Sequence, residues 1–276
     1  MNYTIHNNGW TVIVDNFDLC SATQTDIDQI SKLLYSNTVV VIKKQSLSVK
    51  DELRVIKMFK NPTDLGYPEI AIDGSDGLIL RVGGYAGGNG VQGIAEHEEE
   101  MAWHHDFQWQ LENKPSLIWL HAIHGADNSK TSWVNNLLSY KDLDQKTKDL
   151  LSRLTAVMLR DTDFNVGKFY EDIDGTRWPH GTLLEGYFPN IIREGRLYFP
   201  FNQIYNFKGM SREESKSIIV PLIKHITQPK YQYTHEWDNG DIVISDQWSS
   251  LHMRWPCKNI LNRLLHRATF DYTIKE

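Results

Sequence analysis

Cysteine is nearly absent from this chain. Only Cys20 and Cys257 occur in 276 residues, far apart and in no C-x-x-C pattern. A disulfide framework is therefore excluded as the organising principle, and reduced thiols in a cytoplasmic setting are expected. Long hydrophobic runs are lacking too. Stretches such as Val39–Ile42 and Ile218–Ile223 fall far short of the roughly 20 apolar residues that a membrane-spanning helix needs, so no membrane partner is expected. Positive charge is not in excess: 29 Lys and Arg stand against 35 Asp and Glu, for a formal net charge of -6. Without a basic stripe, a nucleic-acid partner is not expected. Met1–Thr4 carries neither a basic stretch nor an apolar core, so a signal peptide is not expected either. Asn2-Tyr3-Thr4 fits the glycosylation pattern without a secretory context and reads as chance.

What is present suits a β-rich fold. Hydrophobic residues make up 41% of the chain and aromatics 11%, enough for a sizeable core and an aromatic-lined cavity. No repeat or linker divides the chain, so residues 1–276 are read as one domain. Strands are expected at 9–14, 39–42, 78–82, 116–124, 131–134, 155–160, 196–200, 230–237, 241–245 and 264–272, from β-branched runs and alternation. Helical spacing of Ile27, Ile30, Leu33 and Leu34 predicts a first helix behind capping candidates at Ser21–Asp26. Ser48-Val49-Lys50-Asp51 opens a second, which Asn61-Pro62 should end. A third is expected over 142–154. A fourth should run from Ser211 to about 227, with Pro221 able to kink or break it. Many short strands with a few helices predict a mainly β fold with flanking helices, either a β-sandwich or a double-stranded β-helix (jelly roll).

Gly83–Gly93 holds six glycines in eleven residues, too many for a regular element. It runs into Glu96-His97-Glu98-Glu99-Glu100. No Gly-Lys-Ser/Thr follows, so it is not a phosphate loop. Beside a suspected site, residues 83–100 read as a mobile lid, the plainer alternatives being a flexible insertion and a solvated acidic run.

That suspected site begins at Trp103-His104-His105-Asp106. In an extended segment His104 and Asp106, two apart, leave one face and can share an ion, whereas His105 points to the other face. With His252 from a distant strand they would supply two imidazoles and one carboxylate, the facial triad of non-haem Fe(II) oxygenases, which leaves coordination positions open. Arg263 and Arg267 lie four apart, so a strand would put both on one face. Guanidinium forks suit carboxylates, and two inward arginines call for anionic partners.

On these residues the chain resembles the taurine dioxygenase (TauD/TfdA-like) family of Fe(II)/2-oxoglutarate oxygenases. The resemblance runs from Asn37–Ile42 and Gln45–Ser48 through Trp103–Asp106 and Thr131-Ser132-Trp133. It continues through Trp237–Asp241 and His252 to Arg263 and His266-Arg267-Ala268-Thr269. It implies that His104, Asp106 and His252 hold Fe(II). Thr131 and Arg263 would bind the distal carboxylate of the cosubstrate 2-oxoglutarate, O2 would be the oxidant, and Arg267 would face the substrate. Trp103 would pack beside the site. The implied activity is that of a dioxygenase hydroxylating an unactivated C–H, with release of succinate and CO2. Relatives often form dimers or tetramers, so a homo-oligomer is among the implied states.

Several positions depart from the family pattern. Ser245-Asp246-Gln247-Trp248 stands where Trp-Asp-Asn-Arg is usual, and Phe59-Lys60 where Phe-Gly is usual. Glu100 stands where the taurine enzyme has a substrate-contacting Asn. These point away from taurine and towards a small zwitterionic or amino-acid-like substrate, with Arg267 taking its anionic end and Glu100 its cationic or hydroxyl end. Three other readings fit parts of the pattern: a protein or peptide side-chain hydroxylase, a non-catalytic jelly-roll binding protein, and a zinc hydrolase. The complete set of His104, Asp106, His252 and Arg263 weighs against the second. Two arginines with no general base near His-x-Asp weigh against the third.

Overall fold

The computed structural model describes residues 1–64, 66–85, 93–94, 98–106, 115–127, 129–159, 183–184, 188–193 and 195–273. In chain order the strands begin with β1 (Thr4–Ile5), β2 (Thr11–Val14), β3 (Val39–Ile42) and β4 (Leu80–Val82). Then come β5 (Met101–His104), β6 (Leu117–His124) and β7 (Lys130–Asn135). Two small antiparallel pairs follow, β8 (Ala156–Met158) with β11 (Ile204–Phe207) and β9 (Ile192–Arg193) with β10 (Arg196–Leu197). The last four are β12 (Gln232–Glu236), β13 (Ile242–Asp246), β14 (Ser250–Arg254) and β15 (Leu264–Phe270). Among the described residues the larger sheet has seven strands in the order β1-β2-β3-β13-β6-β15-β4, and the smaller has four, β12-β7-β14-β5. Two sheets with helices outside them make the jelly roll that the strand pattern predicts.

Side-chain alternation explains the layering. In β3, Val40 and Ile42 join the core between the larger sheet and helices α1 (Gln24–Asn37) and α2 (Val49–Ile56). Val39 and Val41 enter a second core with Trp133 and Tyr233, between the sheets. A strand buried on both faces needs an unbroken β-branched run, and this one has it. A third core lies behind the smaller sheet, where Trp103, Val134, Leu251 and Met253 meet the helix Arg212–Ile226. Each large side chain so buried contributes about 1.5–3 kcal/mol.

Local chemistry sets the helix ends. Thr23 and Asp26 form a capping box on α1, and Ser211 with Glu214 forms another on Arg212–Ile226. β2 and β3 are parallel, and α1 is the crossover between them.

Several expectations are corrected. The helix expected over 142–154 spans Gln145–Leu151, because Asp144 caps its start by accepting from Thr147 N at 2.9 Å, and a separate helix, Asn136–Lys141, precedes it. Helix α2 stops at Ile56, ahead of Asn61-Pro62, and Lys60 already bridges to Asp271. Pro221 does not break its helix. It sits on the exposed side, so water can reach the carbonyl that its missing N–H leaves without a bond. The strand expected at 196–200 ends at Leu197. Most of the proposed lid, 86–92 and 95–97, lies outside the described residues. Its stem does not: Gly83 N donates to Ile94 O (2.8 Å) and Gly93 N to Gly83 O (3.0 Å), so the two ends are tied together beside β4. Among the described residues no helix is long and apolar enough to cross a membrane.

Candidate metal centre

The smaller sheet brings the separated histidines together. His252 of β14 pairs directly with His104, the last residue of β5, and their rings lie 4.2 Å apart. Asp106 follows in a turn rather than in the strand, and the turn carries its carboxylate back to both rings. Asp106 Oδ1 is 3.4 Å from His104 Nε2 and 3.7 Å from His252 Nε2. One donor atom from each residue lies within 4.8 Å of the others. His104 Nδ1 meets Ala102 O at 2.6 Å, a contact that puts the proton on Nδ1 and leaves the Nε2 lone pair facing the site.

Burial would push the Asp106 carboxyl up. The Arg267 guanidinium outweighs burial and holds it far below the usual carboxylate range. Arg267 Nε is 3.1 Å from Asp106 Oδ2. The set therefore offers one ionised carboxylate and two imidazoles with no thiolate, donors that fit Fe(II) or Mn(II) better than a structural zinc site. His105 goes elsewhere, as alternation predicts. Its Nδ1 meets the Gln247 carbonyl at 2.7 Å, and its ring lies against Tyr198.

The same cavity is lined by Thr131, Arg263 and Arg267, together with Val82, Ile94, Met101, Leu120, Arg254 and Leu265. Arg263 lies just ahead of β15, and a register shift at Leu264/Leu265 separates it from Arg267, yet both reach the cavity. Arg263 Nε donates to Ser129 Oγ (3.2 Å), while its Nη1 is buried with no hydrogen-bond partner among the described residues. Thr131 Oγ1 accepts from Trp237 Nε1 at 2.9 Å, which leaves the hydroxyl hydrogen for another acceptor. A buried guanidinium N–H and a hydroxyl reaching the same cavity fit a carboxylate.

Glu100 is half-buried ahead of β5, outside the residues that line the cavity, and burial raises its carboxyl. The strand pairing explains why Met101, and not Glu100, lines the cavity. His252 opposes His104 but Arg254 opposes Met101, so β5 carries an extra residue there. That bulge turns Met101 towards the cavity.

Three features escaped the sequence reading. Arg254 is one, though alternation from His252 could have found it. Gln247 is another: its Oε1 accepts from Asp106 N (3.0 Å) and its carbonyl takes His105, so it clamps the His-x-Asp turn from both sides. The signal was the departure at 245–248. Behind the larger sheet, buried Glu52 of α2 is the third. It accepts from Trp119 Nε1 (2.8 Å) and meets Nδ1 of His121 (3.2 Å) and of His266 (2.6 Å). Burial pushes Glu52 up, but these histidines bring it down to about 2. The cluster pins α2 to β6 and β15, one residue from Arg267.

A jelly roll holding two histidines and a carboxylate between its sheets has the arrangement of non-haem Fe(II) oxygenases. Residues 7–269 match the family described as taurine catabolism dioxygenase TauD, TfdA family, and the chain belongs to it. It is a 2-oxoglutarate-dependent dioxygenase that uses Fe(II). It is 22% identical over 277 residues to the alpha-ketoglutarate-dependent 2,4-dichlorophenoxyacetate dioxygenase of Cupriavidus pinatubonensis, covering 93% of this chain and 92% of that one. A shorter match, 40% identical over 64 residues, links it to the tyrosine isonitrile desaturase of Erwinia amylovora, over 23% of this chain and 22% of the relative. In fold it is similar to a taurine dioxygenase from Burkholderia xenovorans (TM-score 0.73, 19% identity, 94% of this chain and 85% of that one). It is also similar to AAD-2 in complex with Mn(II) and N-oxalylglycine (TM-score 0.74, 16% identity, 99% of both chains).

Proposed function

We propose that this dioxygenase, a single domain over residues 1–276, hydroxylates an unactivated C–H of a small anionic or zwitterionic, amino-acid-like substrate. In this reading His104, Asp106 and His252 hold the iron, and Thr131 and Arg263 hold the distal carboxylate of 2-oxoglutarate. The observation that carries it is the convergence of three donor side chains and these cationic and hydroxyl groups on one cavity. Fe(II) with 2-oxoglutarate and O2 supplies the oxidising chemistry, converting C–H to C–OH while releasing succinate and CO2.

The side chains do the positioning. Asp106 is kept ionised by Arg267, so it can serve as an anionic ligand without first losing a proton. Arg267, on the metal side of the cavity, orients an anionic group of the substrate there. Glu100 lies outside the lining residues, next to Met101, and its role in this reading is to meet a cationic or hydroxyl end of a substrate that extends past Met101. Leu120, Leu265, Val82 and Ile94 keep water from the reacting centre.

Anaerobic addition of Fe(II) and then 2-oxoglutarate should produce a weak visible charge-transfer absorption that His252→Ala abolishes. A wild-type protein that binds the metal but shows no such absorption would overturn the assignment of the ligands. For the substrate, amino and carboxylic acids are screened by mass spectrometry, and Glu100→Gln should change the preference among those accepted. The local 40% identity to a desaturase favours a second reading, oxidative desaturation. The same mass spectra separate the two, because hydroxylation adds an oxygen atom and desaturation removes two hydrogens.

A further inference from the structure

Arg254 follows His252 by two residues in β14, so both side chains leave one face of the strand. It stands opposite Thr131 of β7. Arg254 and Arg263 are both buried and line the cavity that holds the candidate metal ligands. The Arg254 head is fixed, since its Nη2 donates to the Glu99 carbonyl at 2.7 Å.

The two guanidiniums act on each other. Burial lowers Arg263 most, and Arg254 lowers it next, to about 10. Asp106 is engaged by Arg267 at the metal end. Arg254, Arg263 and Thr131 line one cavity whose walls also include Val82, Ile94 and Leu265, so an anionic end that enters it can reach both guanidiniums. A terminal carboxylate has two oxygens, enough to meet both forks and the Thr131 hydroxyl.

We propose that Arg254 is a second arginine for the distal carboxylate of the 2-oxo acid, acting with Arg263 and Thr131, and that it restricts the cosubstrate to 2-oxo dicarboxylates. This rests on the reading of Arg263 and Thr131 given above. Succinate keeps that carboxylate, so the pair also holds the coproduct.

The test is calorimetric, on Mn(II)-loaded protein, which needs no turnover. Binding of 2-oxoglutarate and of pyruvate, a 2-oxo acid with no distal carboxylate, is compared in wild type, Arg254→Met, Arg254→Lys and Arg263→Met. Arg254→Met should weaken 2-oxoglutarate by about 10–100-fold, the loss of a charged hydrogen bond. Pyruvate and Mn(II) should bind it as they bind wild type, and Arg254→Lys should recover part of the loss. Unchanged 2-oxoglutarate binding in Arg254→Met, or a parallel fall for pyruvate, overturns the proposal. So does failure of both Arg254 variants to fold, which would make the arginine a support for the β14–β5 edge. If Arg263→Met also keeps wild-type affinity, the underlying cosubstrate reading fails as well. If only Arg254 proves silent, that reading stands.

Discussion

His252 and His104 face each other across the β14–β5 ladder, separated by 148 positions in the chain, with Asp106 Oδ1 within 3.7 Å of both. Their neighbour His105 points away to the Gln247 carbonyl. His104→Ala and His252→Ala should each lower Mn(II) affinity by more than the roughly 10–100-fold that loss of a supporting partner costs. His105→Ala should bind Mn(II) like wild type. Anaerobic equilibrium dialysis separates these outcomes, and a loss in His105→Ala equal to that in His104→Ala would refute the assignment.

Gln247 supports the turn without offering a ligand. Its side chain takes the Asp106 N–H and its carbonyl takes His105. Gln247→Ala frees the Asp106 backbone, and metal affinity should fall about 10–100-fold. Dialysis against Mn(II) with circular dichroism as a fold control reads this out. Unaltered affinity in a folded variant would show that the turn needs no clamp.

Glu52 carries a pH signature. Its carboxyl lies at about 2 in the folded chain, against an ordinary 4.5. A depressed carboxyl stabilises fully above its unfolded value and loses that contribution as pH falls towards its folded one. The difference corresponds to about 3 kcal/mol, present at neutral pH and lost between about pH 4.5 and 2. Glu52→Gln should be less stable at pH 7 and flatter across that acid window. Urea midpoints measured at several pH values test it, and parallel acid slopes for the two proteins would count against it.

Gly125 is held at φ +58, and a Cβ there would lie 2.0 Å from the Asn262 carbonyl. That carbonyl belongs to the turn delivering Arg263. Gly125→Ala should cost about 2 kcal/mol or more, from strain and overpacking together. It should also weaken 2-oxoglutarate binding by moving Arg263. Thermal melts and calorimetry check both, and a wild-type melting temperature would show that the turn has room to shift.

Much of the fold was legible because its signals are local. The run Val39–Ile42 announces a strand buried on both faces, and the caps at Thr23, Ser48 and Ser211 announce helix starts within a few residues. The later start of the helix expected over 142–154 was carried by an equally local cap at Asp144, obscured by the leucines around it. The His-x-Asp pair was readable for the same reason, although Asp106 reaches its partner through a turn and not along a strand.

By itself, the sequence determined the donor types, the alternation that turns His105 away from His104, and the resemblance that names the metal and cosubstrate. Those depend on residues close together or on motifs in fixed order. Tertiary structure decided which strands meet. Only the pairing of β14 with β5 and β7 sets His252 against His104 and Arg254 against Thr131. Only the extra residue in β5 brings Met101, and not Glu100, to the cavity wall. Register between strands far apart in the chain is fixed by packing of both sheet faces at once, and no short window of sequence contains it.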